Sequence, residues 1–126
     1  MSVSADWGGI FPATLTMFDE RGALDVAAMR DHVARLVEDG AHGIVVCGTT
    51  GEFVALSDDE RIEAIAAAVA GADERVPVIA GTGAYGTAAT IRLTRRAAPR
   101  NFERRGPHRR ERFPAERRTG IRSPRG

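Results

Sequence analysis

Residues 43–52, Gly-Ile-Val-Val-Cys-Gly-Thr-Thr-Gly-Glu, restrict the fold more than any other stretch of this chain. Ile44 to Cys47 form a short apolar run that can be buried on both faces, as an interior strand of a parallel sheet is. Gly48 and Gly51 then permit a backbone path that side chains would obstruct. Between them, Thr49 and Thr50 carry two hydroxyls and adjacent backbone N–H groups. Parallel α/β folds bind ligands at the carboxyl ends of their strands, so the turn is a candidate site for a small carboxylate or phosphate. Taken alone, the same turn can equally be satisfied by its own hydroxyls.

Residues 1–98 alternate strand and helix signals around that turn. Ile10–Phe18 is β-rich and ends in Asp19-Glu20-Arg21-Gly22, a turn signal. Leu24–Glu38 places Met29, Val33, Leu36 and Val37 at helical spacing, and Gly40 stands where a helix stops. Ser57-Asp58-Asp59-Glu60 reads as a capping box, with Ser57 as N-cap and Glu60 reaching back. The helix it opens buries Ile62, Ile65 and Val69 and ends near Gly71. Val76–Ala80 is a third strand and Thr87–Ala97 a third helix, of which Pro99 permits little continuation. Such β-α-β-α-β-α order with short connections predicts a parallel sheet covered by helices.

Four segments in order and spacing, Gly9-Ile-Phe-Pro-Ala-Thr-Leu-Thr16, Gly43 to Glu52, Leu56-Ser-x-x-Glu60 and Val76-Pro-Val-Ile-Ala-Gly-Thr-Gly83, resemble the dihydrodipicolinate synthase / N-acetylneuraminate lyase family. The likeness runs over residues 8–97 and corresponds to roughly the first third of a member. Thr49-Thr50 favours the synthase side, since the lyase branch usually reads Gly-Ser-Thr-Gly-Glu. Met17 departs from the proline that often follows the Thr16 position. The resemblance implies the α/β class, a TIM (β/α)8 barrel of which about three units are readable here. It also implies a class I aldolase mechanism: a lysine amine condenses with pyruvate, and the resulting enamine attacks an aldehyde, here aspartate semialdehyde. In that scheme Thr49 and Thr50 bind the pyruvate carboxylate, and the Thr49 hydroxyl joins a proton relay with two tyrosines, one lent by a neighbouring subunit. Glu52 is assigned loop-bracing hydrogen bonds only. An intact member is expected to be a homo-oligomer, with no metal or organic cofactor.

The departures bear on catalysis. All 18 basic residues counted as lysine plus arginine are arginines, so the chain has no lysine. Its one tyrosine, Tyr85, matches neither catalytic position. Arginine cannot replace the Schiff-base lysine, because its guanidinium stays protonated and is not an amine nucleophile. A barrel of this type needs about 250 residues. By itself this polypeptide is therefore expected not to run the family's reaction.

Composition changes abruptly after Ala98. Residues 1–98 hold 8 Arg against 14 Asp and Glu, a net of −6, whereas residues 99–126 hold 10 Arg against 3 Glu, a net of +7. Four of the six prolines fall in the second part, where only Phe102, Phe113, Ala115 and Ile121 are apolar. Such a tail is expected to be disordered. The change in charge, proline content and periodicity within two residues suggests an out-of-frame translation of a GC-rich gene, which the other reading frames past codon 98 test. The alternative function is a non-catalytic fragment whose arginine-rich tail binds nucleic acid non-specifically through phosphates. Phe102 and Phe113 are too few for a stacking platform.

Other candidates are weaker. Gly81-Thr-Gly-Ala-Tyr-Gly86 fits G-x-G-x-x-G after a strand, but a dinucleotide site also needs a second strand and an acidic residue about 20 positions on. Glu103 is near that distance without a strand before it, so a glycine-rich barrel loop is preferred. Cys47, the lone cysteine, reads as an inert packing thiol. His32 and His42 lack metal-ligand spacing, and Asp58, Asp59 and Glu60 read as charges favoured at a helix start. The absence of an internal disulfide, of a signal peptide and of a long apolar run makes a cytoplasmic location the expectation, with no membrane partner.

Overall fold

A computed structural model of the chain describes residues 8–102. Element order is α1 (Val26–Glu38), β1 (Ile44–Val46), a 3-10 turn (Phe53–Ala55), α2 (Asp58–Ala72), β2 (Val78–Ala80) and α3 (Thr87–Phe102). Strands β1 and β2 pair in parallel, with Ile44 opposite Val78, Val45 opposite Ile79 and Val46 opposite Ala80. The alternation of helices and parallel strands expected from the sequence is present.

The expected first strand, Ile10–Phe18, is not a continuous one. It runs alongside β1 and contributes a single parallel bridge, Ala13 to Val45. Its bonds to the β1 segment are His42 N–H to the Ile10 carbonyl (2.9 Å), Val45 N–H to the Pro12 carbonyl (3.0 Å) and Thr14 N–H to the Val45 carbonyl (2.9 Å). Pro12 has no N–H to give, which interrupts the ladder. Phe18 instead makes an antiparallel bridge to Leu24 around the Asp19–Gly22 turn.

Caps fix the helices where side chains can reach the backbone. Asp25 accepts from Ala28 N–H at 2.9 Å and starts α1 at Val26, two residues later than hydrophobic spacing alone suggests. At its end, Ala41 N–H donates to Leu36 and Gly40 N–H to Val37, with Gly40 at φ +100°. That pair of bonds closes the helix through a left-handed residue, which glycine tolerates. The capping box of α2 is formed: Glu60 N–H donates to Ser57 Oγ at 3.2 Å, and Ser57 N–H to Glu60 Oε2 at 2.8 Å. Helix α2 ends at Ala72, near Gly71 as expected, but Gly71 is not the cap. A Cβ there would lie 2.4 Å from the Arg30 carbonyl oxygen, so Gly71 lets α2 lie against α1, and the left-handed stop is Asp73.

Helix α3 continues through Pro99 to Phe102, beyond the expected end at Ala97. A proline forfeits only its own N–H bond and crowds the carbonyl four residues earlier; the following N–H groups can still close turns. Residues from 103 on, which carry most of the expected disordered tail, lie outside the described residues.

The core lies between sheet and helices. Met29 and Val33 of α1, Ile44 and Val46 of β1, and Ile62, Ile65 and Ala68 of α2 are almost wholly buried, with Leu93 and Ala97 of α3. Val45, on the other face of β1, is half-buried. The Asp58 and Asp59 carboxylates pair with Arg92 and Arg96 across α2 and α3. These pairs are solvent-exposed and contribute little to stability. Among the described residues no helix is long and apolar enough to cross a membrane.

Candidate functional site

Parallel pairing brings three carboxyl-terminal ends to one edge of the sheet. Past β1 the chain enters the Gly48–Glu52 turn; past β2 it enters Gly81–Gly86; the segment beside β1 ends at Thr14–Thr16. These ends interlock. Thr16 Oγ1 donates to the Gly51 carbonyl at 2.6 Å, and the buried Thr14 hydroxyl donates to the Val45 carbonyl at 3.3 Å. A Cβ on Gly81 would sit 2.1 Å from the Cys47 carbonyl oxygen, so only glycine lets the exit of β2 lie against the exit of β1.

The threonine turn closes through its own backbone. Gly51 N–H donates to the Gly48 carbonyl (3.1 Å), Glu52 N–H to the Thr49 carbonyl (3.0 Å) and Phe53 N–H to the Gly48 carbonyl (3.4 Å). Cys47 and Glu52, on either side, both have φ +56°. Non-glycine residues held there cost about 1–2 kcal/mol each, and such backbone outliers concentrate at ligand-binding turns. Sequence patterning gives no sign of either.

Thr49 and Thr50 are exposed. Their hydroxyls and their backbone N–H groups make no hydrogen bond among the described residues. The self-satisfied turn, the plainer expectation, is therefore not what forms. Two N–H and two O–H donors are presented at a strand's carboxyl end, an arrangement able to take up a small anion. Glu52 braces the loop through its backbone; its carboxylate makes no hydrogen bond among the described residues.

Beneath the turn, Cys47 is buried, and its Sγ–H points to the Arg61 carbonyl at 3.8 Å. Burial pushes the thiol up to about 11, with the nearby Arg61 charge acting the other way to a smaller extent. It is a packing thiol, unsuited to act as a nucleophile near neutral pH. Tyr85 is fully exposed in the loop before α3. In that glycine-rich loop Ala84 N–H is taken by Thr90 Oγ1 at 3.1 Å, and the Gly81 and Gly83 carbonyls by Arg61 at 2.7 and 3.0 Å. The loop is tied to its surroundings at these points. His42 Nδ1 accepts from Ile10 N–H at the opposite end of β1, and His32 lies half-buried on α1, its pKa lowered by burial and then by Arg35. Among the described residues no group of three or more His, Cys, Asp or Glu side chains could hold a metal ion.

Sequence reasoning missed Arg61. An arginine following Asp-Asp-Glu at a helix start reads as a solvated charge, yet its side chain is buried under the site. No local signal distinguishes it from Arg92 or Arg96.

Comparison with known proteins agrees with the fold described above. The family profile described as "Dihydrodipicolinate synthetase family" matches residues 6–102. The chain is 51% identical over 90 residues to a 4-hydroxy-tetrahydrodipicolinate synthase of Xanthomonas axonopodis pv. citri, covering 71% of this chain and 30% of that protein. Among solved structures it is similar to dihydrodipicolinate synthase DapA-2 from Bacillus anthracis, with TM-score 0.72 and 42% identity over 75% of this chain and 32% of that one. It is also similar to N-acetylneuraminate lyase from Mycoplasma synoviae, with TM-score 0.69 and 33% identity over 73% and 32%. The chain thus spans about a third of the length of the relatives it matches. The solved relatives of the synthase type are TIM barrels, and the alternating helices and parallel strands seen here correspond to about a third of that fold.

Proposed function

The chain belongs to the dihydrodipicolinate synthetase family, and from that premise we propose that it carries the carboxylate-binding turn of a pyruvate-using lyase without the amine that would make the carbon–nitrogen bond. The parent reaction is that of a 4-hydroxy-tetrahydrodipicolinate synthase, in which pyruvate condenses through a Schiff base with aspartate semialdehyde. One observation carries the reading: Thr49 and Thr50 present four hydrogen-bond donors that nothing else among the described residues uses. Their place at the carboxyl end of β1 is where parallel α/β folds take their ligands. Thr49 supplies a hydroxyl for the proton relay as well as for binding. No lysine is available to attack the pyruvate keto carbon, and Tyr85 stands in a loop tip that matches neither relay tyrosine.

Bound pyruvate would accept charge-assisted hydrogen bonds from these donors, each shorter and stronger than a neutral one. The 126-residue chain then stops at binding. Incubation with pyruvate and borohydride, followed by peptide mass mapping, checks this. The expected result is no mass gain at an internal side chain and no consumption of pyruvate with aspartate semialdehyde. An internal adduct, or turnover by the purified chain, would overturn the reading; an adduct on the terminal amine would not.

A further inference from the structure

Helix α2 buries a charge where its packing face should be apolar. Arg61 lies in the first turn of α2 and is 5% exposed. Its Nη1 donates to the Gly83 carbonyl at 3.0 Å and its Nη2 to the Gly81 carbonyl at 2.7 Å. The guanidinium carbon stands 4.9 Å from the centroid of the Phe53 ring. Nε is buried with no partner, and among the described residues no carboxylate pairs with the group. Burying an unpaired cation is costly, and an apolar side chain of similar length would fill the space without that cost. Structural packing alone gives no reason for the charge.

Its contacts give one. Gly81 and Gly83 are the exit of β2, and Gly81 lies against the Cys47 carbonyl at the root of the threonine turn. Phe53 closes the far side of that turn through its N–H bond to Gly48. One side chain therefore touches both walls between which Gly48–Gly51 is held. A guanidinium suits this task because its fork is planar and rigid and its face stacks on aromatic rings.

We propose that Arg61 is a positioning residue for the threonine turn: from within the helix layer it fixes the exits of β1 and β2 against each other and so sets the direction of the Thr49 and Thr50 donors. The inference deepens the carboxylate reading given above and, in its ligand, rests on it.

Amide-resolved NMR on the ¹⁵N-labelled full chain tests it, with Arg61→Met and Arg61→Lys. Arg61→Met should displace the Thr49, Thr50 and Gly51 amide resonances, speed their hydrogen exchange and weaken pyruvate binding about tenfold, the scale of one lost charged hydrogen bond. The core amides of Met29, Val33 and Ile65 should keep their protection. Arg61→Lys, which can reach one carbonyl but cannot fork, should recover part of the affinity. Unchanged turn amides in Arg61→Met would overturn the proposal. So would loss of core protection in both variants, since Arg61 would then serve the whole fold. If the wild-type chain ignores pyruvate while Arg61→Met still moves the turn amides, the positioning role stands and the carboxylate reading falls. If the wild type binds pyruvate and Arg61→Met changes nothing, the reverse holds.

Discussion

At the scale of single residues, two side chains of the same strand exit have opposite fates. Thr49 and Thr50 point their donors outward, unpartnered among the described residues, whereas Cys47, at the root of the turn, is sealed beneath it. Replacing Thr50 or Thr49 by valine keeps the shape and removes one hydroxyl. Each change should reduce pyruvate affinity by ~1.5–3 kcal/mol, the worth of a hydrogen bond to a charged group, while leaving the unfolding midpoint almost unmoved. Titration calorimetry and urea unfolding read the two quantities separately. For Cys47 the pKa is raised from 9.0 to about 11. The folded chain thus holds this proton more tightly than the unfolded chain. Its stabilising contribution is complete below about pH 9 and is lost as pH rises toward 11. Iodoacetamide at about pH 8 should leave the native chain unlabelled and alkylate it in urea. A native chain that alkylates as fast as the unfolded one would contradict the burial assigned to this thiol.

At the scale of elements, what could be read from the sequence was what local chemistry decides. The capping box Ser57–Glu60 names its own bonds, and both form. Ser57→Ala should therefore cost ~1 kcal/mol, seen as a lower midpoint in thermal or urea unfolding. The alternation of parallel strands and helices follows from periodicities of two kinds. The threonine turn was legible because glycines bracket it at a strand end. What was not legible depends on neighbours distant in sequence. Ile10–Phe18 has strand composition, but Pro12 breaks its ladder to β1. The end of α2 near Gly71 is legible, but the role of Gly71 against the Arg30 carbonyl of α1 is not. Arg61 looks like a surface charge until the Gly81 and Gly83 carbonyls, twenty or more residues away, are seen to take its donors. Gly81 can be checked by substitution: in Gly81→Ala a methyl group would meet the Cys47 carbonyl, and such overpacking costs ~1–3 kcal/mol. The shift should appear in the stability of the chain and in the amide positions of the threonine turn together. A fully native Gly81→Ala chain would show that the close approach of the two exits is not required.

At the scale of the whole molecule, the chain offers about a third of a barrel, and the sheet shows it. Ile10, Leu15 and Ile79 along it are 71%, 53% and 40% exposed, and strand edges of that kind invite pairing with other chains. The 126-residue chain alone should therefore self-associate or unfold over a broad denaturant range, by ultracentrifugation and urea titration. A soluble monomer with one sharp transition would contradict this. Such loose packing need not abolish the site, because the turn is closed by local backbone bonds and by its immediate neighbours. The central claim is that the Thr49–Thr50 turn receives a carboxylate. Its most direct test is a pyruvate titration of the ¹⁵N-labelled chain, with the amide of acetone's size, acetamide, as the uncharged control. The account predicts saturable movement of the Thr49, Thr50 and Gly51 amides with pyruvate, shifted to higher pyruvate concentration in Thr50→Val and absent with acetamide. Equal responses to both compounds, or resonances that move elsewhere in the chain and not in the turn, would contradict it.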